Sequence, residues 1–154
     1  MVKDIMIFDR TRAAGVLAGE LARLYGAELQ RRLAPLGLSA AQFLVLSELW
    51  AQDGQTQRQL TARLGVEQAT MANTLARMER DRLIERMPHP GDRRAQIVAL
   101  SDTARTLRAE AVDAAAEVNQ SVLEGLPLAE RELFLSMLGR IVSAMRAPGT
   151  NPQT

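Results

Sequence analysis

Cysteine is absent from the 154 residues, which excludes disulfides, thiolate metal sites and cysteine-based redox sensing. A single histidine, His89, cannot assemble a histidine zinc site on its own, so neither a metal nor a cofactor is expected. Aromatic residues make up only 3% of the chain, and lysine is represented by Lys3 alone; every other basic residue is arginine. No apolar run reaches membrane-spanning length, and the opening MVKDIMIFDR lacks the basic start and small-residue cleavage site of a secretory signal. A cytoplasmic protein with no membrane partner is the expectation. There is no glycine-rich phosphate loop, and many carboxylates have arginine three or four residues away, as on solvated helix faces. No catalytic residue is expected, and the chain does not read as an enzyme.

What is present is an ordinary globular composition, 47% apolar and 24% charged, enough for one cored domain spanning 1–154. The formal net charge of +1 looks poor for a nucleic-acid binder until the charges are placed. Between Arg58 and Arg108 ten arginines face six carboxylates, while the rest of the chain carries nine basic residues against twelve acidic ones. Positive charge is therefore concentrated in one segment, and guanidinium forks suit phosphates and guanine edges. An arginine-rich compositional bias explains the Arg/Lys ratio equally well, but not this segregation.

Hydrophobic periodicity divides the chain into three parts. An Ala/Leu-rich helix runs from about Asp9 to Ala34, with Leu17, Leu21, Leu24, Tyr25 and Leu29 near one stripe, and Pro35 and Gly37 end it. Ser39 and Gln42 form a capping box for a second helix carrying Phe43, Leu46, Leu49 and Trp50, which stops at Asp53-Gly54. Thr56 and Gln59 repeat the box and open a short helix through Leu64 that includes Arg58, and Gly65 supplies the turn.

The next helix, about Glu67 to Arg80, has Met71, Leu75 and Met78 at core spacing. Its opposite arc is assigned Thr70, Asn73, Thr74 and Arg77, with Gln68 in the first turn and able to reach a ligand only from the helix end. Short polar groups leading into longer ones suit a helix that must approach base edges in a major groove, although any surface helix has a polar arc. The segment C-terminal to this helix favours the groove. Leu83 to Arg86 is β-compatible, Met87-Pro88-His89-Pro90-Gly91-Asp92 is rich in turn formers, and Ala95 to Leu100 reads as the returning strand. At the tip of that hairpin Arg93 and Arg94 have no apolar company, which suits entry into a minor groove whose potential attracts arginine. An ordinary solvated hairpin with Asp92 paired to an arginine is the plainer alternative.

The stretch ATMANTLARMERDRLIERMPHPGDRRAQIVALSDTAR resembles the recognition helix and wing of the MarR family of bacterial transcriptional regulators. The match rests on Leu75, Met78 and Glu79, Leu83-Ile84-x-Arg86, Asp92-x-Arg94 and the strand ending Leu100-Ser101. The resemblance implies a mainly α fold with a small β-hairpin wing: a winged helix-turn-helix over 39–101, flanked by N- and C-terminal dimerisation helices at 9–36 and 102–146. It further implies a homodimer bound to a palindromic double-stranded operator, commonly a repressor released or retained by a small-molecule effector. Thr70, Asn73 and Arg77 would face the major groove, and Arg94 the minor groove with Asp92 buttressing the wing. Two positions depart from the family pattern. Arg82 stands where glycine usually ends the recognition helix, and a left-handed backbone there would cost on the order of 1 kcal/mol. Ala104 stands where glycine often comes after the wing strand.

The flanks fit this expectation. A long Ala-rich helix runs from Asp102 toward Gly125, and after Pro127 a second one aligns Leu128, Leu135, Leu138, Ile141, Val142 and Met145 on an apolar stripe. Packing against the N-terminal helix of a second subunit is the simplest way to bury it, and a monomeric bundle is the alternative. Leu21, Tyr25, Phe43, Leu46 and Trp50 are candidates to line an effector pocket between the dimer helices and the winged domain, though each serves equally as core. Residues 147–154 read as a disordered tail. The rival function is a winged-helix module that contacts protein or RNA without sequence-specific duplex binding.

Overall fold

The computed structural model describes residues 9–146. Helix α1 spans Ala14–Leu33 and passes through a 3₁₀ turn at Ala34–Leu36 to Gly37, whose φ of 70° is the left-handed conformation glycine adopts freely. Asp9 accepts from the backbone and hydroxyl of Thr11 in a turn before the helix, so α1 begins several residues later than its hydrophobic pattern suggests. Helix α2 (Ala40–Ala51) and helix α3 (Gln57–Leu64) both start with the expected capping boxes: the Ser39 and Thr56 hydroxyls accept from the Gln42 and Gln59 amides, and each glutamine reaches back to its cap. Gly65 turns the chain with φ 64° into helix α4 (Gln68–Arg80).

Strands β2 (Ile84–His89) and β3 (Asp92–Leu100) form the hairpin, and a two-residue strand β1 (Gln55–Thr56) pairs with the far side of β3. The antiparallel order is β1-β3-β2. Arg93 and Arg94 therefore lie in the strand rather than in the turn, and the tip is narrowed to the His89–Asp92 corner. Pro88 sits inside β2 opposite Gln96, beside a register irregularity. This is tolerated because β2 is an edge strand, where a missing N–H leaves no central ladder bond unmade.

The core of the first unit, residues 9–118 as described, joins α2, α3, α4 and the hairpin to α1 and to helix α5 (Asp102–Leu123) as far as Val118. Leu29 and Leu33 from α1, Val45, Leu46 and Leu49 from α2, Leu60 from α3, Met71, Leu75 and Met78 from α4, and Ile84, Val98 and Leu100 from the sheet are all buried together. Truncating one of these large side chains to alanine is expected to cost about 2–5 kcal/mol through lost transfer energy and the residual cavity.

Polar ties fix the joints. Asp53 Oδ1 accepts from Leu100 N–H at 2.9 Å and its other oxygen receives Arg105, so one carboxylate links the end of α2, the end of the wing and the start of α5. Ala104 is fully buried, and its carbonyl accepts the Trp50 indole N–H at 3.1 Å. Arg82 has φ 58°, so the left-handed position is real and is occupied without glycine. The second unit contains the end of α5 and helix α6 (Leu128–Arg146), which has no buried residue. The tail assigned to 147–154 lies outside the described residues.

Candidate nucleic-acid interface

Helices α3 and α4 form the helix-turn-helix, and β2–β3 projects beyond them. The outward face of α4 is set by what its other face buries. With Met71, Leu75 and Met78 inward, Gln68, Thr70, Asn73 and Arg77 are exposed as expected. Thr74 is not: it is only 4% exposed, and its hydroxyl donates to Thr70 O at 2.9 Å, a bond to the preceding turn that satisfies the group inside the protein. Thr74 is thus removed from the reading face. Its place at the centre of the outward arc goes to Ala69, Ala76 and Arg80, all exposed. Gln68 accepts from Gln57 Nε2 at 3.5 Å, a loose link between the first turns of α4 and α3.

The wing brings its own charges. Asp92 Oδ1 accepts from the Arg94 backbone N–H at 2.9 Å, an Asx-type bond that shapes the corner and leaves both neighbouring guanidinium groups exposed. Among the described residues Arg58, Arg93 and Arg94 form no ion pair, in contrast to Arg63, Arg80, Arg86 and Arg105, which are each matched to a carboxylate. Unpaired exposed arginines are the ones available to an external anion. Gln57, Arg86, Pro88, Arg93, Arg94, Ala95 and Gln96 line an open groove of about 460 Å³ beside the start of α3. Gln57 and Arg80 carried no signal in the sequence beyond being polar positions on a helix; their placement depends on how α3 meets the wing and how α4 is rotated.

The Arg86 guanidinium meets Glu79 Oε2 at 3.3 Å, an ion pair that links β2 to α4. At the end of α4 the Arg80 guanidinium, then the Gln42 amide, hold the Asp81 carboxyl below the usual carboxylate range.

The residues assigned to an effector pocket are distributed differently. Leu46 is fully enclosed in the core, and Phe43 is buried with its ring edge-on to Trp50 at a centroid distance of 6.0 Å. Leu46 therefore cannot line an open cavity in this conformation, and Phe43 is a packing residue. Leu21, Tyr25 and Trp50 are half-buried, with the Trp50 N–H already engaged. No single helix among the described residues is long and apolar enough to cross a membrane.

Comparison with known proteins agrees with this geometry. Residues 38–95 match the model of the MarR family. Among solved structures, the transcriptional regulator PA3341 is 37% identical, with 88% of this chain and 100% of that one covered and a TM-score of 0.76. The transcriptional repressor CouR, bound to a 23-mer DNA duplex, is 27% identical with a TM-score of 0.80, covering 91% of this chain and 99% of its own. BpsR of Bordetella bronchiseptica, whose DNA binding is regulated by 6-hydroxynicotinic acid, is also 27% identical at a TM-score of 0.80, with 88% and 96% covered. Helix-turn-helix, wing and similarity over nearly the full length converge: the chain belongs to the MarR family of winged-helix transcriptional regulators that bind DNA.

Proposed function

We propose that this protein is a cytoplasmic repressor that binds a palindromic operator as a homodimer and answers to a small-molecule effector. The observation that carries the reading is the pairing of a polar face, Gln68, Thr70, Asn73 and Arg77, with a wing whose Arg93 and Arg94 are exposed and, among the described residues, without a carboxylate partner. Asn73 suits base-edge readout, since an amide can donate and accept at one adenine. Arg94 and Arg93 suit the minor groove and phosphates, and Arg58 a flanking phosphate.

Homodimerisation is supported by helix α6, where Leu128, Leu133, Ile141 and Met145 are exposed. An isolated helix of this length with no buried face is marginal in water, and a second copy supplies the missing apolar surface. A dyad then presents two recognition helices to half-sites about 34–36 Å apart. Occupancy of a promoter would exclude polymerase, which makes repression the default sign. Regulation of the B. bronchiseptica relative by 6-hydroxynicotinic acid supports a small organic effector, acting through unequal affinity for two dimer geometries.

Selection of bound sequences from a random duplex pool at fixed salt tests DNA binding, dyad symmetry and spacing at once. Enrichment of an inverted repeat is expected. An unenriched pool would replace this reading with a winged-helix module for protein or RNA contacts.

A further inference from the structure

Asp81 closes the recognition helix and is gripped from two sides. Its Oδ2 accepts from Gln42 Nε2 at 3.0 Å, and its Oδ1 accepts from Arg80 Nε at 3.0 Å. The two grips differ in rigidity. Gln42 is buried, and its Oε1 accepts the Ser39 N–H at 2.9 Å as half of the α2 capping box, so its carboxamide is fixed at both ends. The Arg80 side chain is 70% exposed and, among the described residues, makes its only ion pair with Asp81. A carboxylate at a helix C-terminus is opposed by the macrodipole, so helix formation alone does not favour an acid here. Its ionised form is nonetheless held by Arg80, then Gln42, with Arg77 adding a weaker pull.

Arg80 also occupies a sensitive place. It lies seven residues after Asn73, which at 3.6 residues per turn puts the two within about 20° on the helix surface. The outward stripe thus ends in a guanidinium that is paired with the carboxylate one residue on, itself held by Gln42. A free arginine there would add affinity for any duplex, because phosphate contacts carry no sequence information.

We propose that Asp81, anchored by Gln42, restrains Arg80 and thereby limits the sequence-independent part of DNA affinity. The inference rests on the DNA-binding function proposed for this fold. Asp81 is a positioning residue, acting on DNA only through Arg80, and Gln42 is what stops the carboxylate from moving outward with Arg80.

The test measures affinity of the full-length protein against salt, using one duplex enriched from the random pool and one shuffled duplex of the same composition. Asp81→Asn is expected to tighten binding to both and to steepen the dependence of log affinity on log salt by about 0.9, the increment for one added phosphate contact. Arg80→Gln in the Asp81→Asn background should return the slope to the wild-type value. In the Asp81-bearing protein, Arg80→Gln, a change at an exposed side chain with little bearing on folding, should move the slope by much less than it does in the Asp81→Asn background. The proposal is overturned if Asp81→Asn leaves the slope unchanged while melting shows it folded, if the double variant keeps the steeper slope, or if Arg80→Gln moves the slope equally in both backgrounds. Failure of the wild type to bind any pool duplex would instead remove the DNA-binding reading itself, and this inference with it.

Discussion

Arg82 is a residue whose own chemistry disagrees with its backbone. Its φ of 58° places a Cβ where only glycine is comfortable, and the position persists because the turn is held on both sides: Leu83 N–H donates to Met78 O at 2.9 Å and the Ser101 hydroxyl donates to Arg82 O at 2.7 Å. Arg82→Gly is expected to raise unfolding stability by about 1 kcal/mol, read as a higher urea midpoint at unchanged slope. The departure at this position was legible in the sequence, since a glycine was missing where a helix had to stop. Thr74 was not legible. It sits one residue before Leu75 and three after Met71, on the border of the buried face, and only the hydroxyl bond to Thr70 O decides that it turns inward. Thr74→Val is accordingly expected to leave sequence preference intact, whereas Asn73→Ala should relax discrimination by about 1–3 kcal/mol at one base pair in each half-site. Equal loss of specificity in both variants would mean that α4 is rotated relative to this structure when it engages DNA.

At the scale of elements, capping boxes and turn glycines marked the ends of α2 and α3 because those signals are local and chemical. Strand β1 left no trace, since two residues carry no periodicity and Gln55–Thr56 become a strand only by pairing with Val98 and Ile97. The wing was recognisable from its turn formers, but its corner is shorter than composition suggested, because Pro88 is accommodated on the edge strand. Its function is tested by the Arg93→Ala, Arg94→Ala double variant, which should weaken binding to most duplexes without lowering thermal stability; full retention of affinity in a mobility-shift titration would end the wing claim. Helix α1 supplies a pH prediction. Glu28 lies between Arg31 and Arg32, and the Arg31 bond, more than the opposing burial, draws its carboxyl from 4.5 to about 2. A carboxyl lowered on folding stabilises the native state fully above its ordinary value and loses that contribution as pH falls from 4.5 toward 2. Carboxyl NMR of Glu28 should show this low midpoint, and Glu28→Gln should remove the corresponding part of the acid-side loss of stability while leaving the neutral-pH fold in place.

For the whole molecule, the apolar periodicity of the C-terminal helix is plain in the sequence, whereas the surface proposed to cover it, a second copy of the chain, leaves no mark in a single sequence. Helix α6 exposes Leu133, Met137, Ile141, Val142 and Met145 and buries none of its residues, an apolar surface of the kind that marks an interaction site. If a second copy covers this face, Ile141→Glu places an unpaired carboxylate in an apolar contact and should convert the dimer to monomer at micromolar concentration in sedimentation velocity, with loss of α6 helicity. If the chain is a monomer, the same substitution falls on a residue already 54% exposed and should change neither mass nor helicity. The dyad carries the consequence through to DNA. A monomer keeps its recognition helix and wing but loses the linkage between half-sites, so Ile141→Glu should bind an isolated half-site as the wild type does and lose most of its preference for the full palindrome. Wild-type protein that sediments as a monomer while still preferring the palindrome would refute the symmetric arrangement at its root.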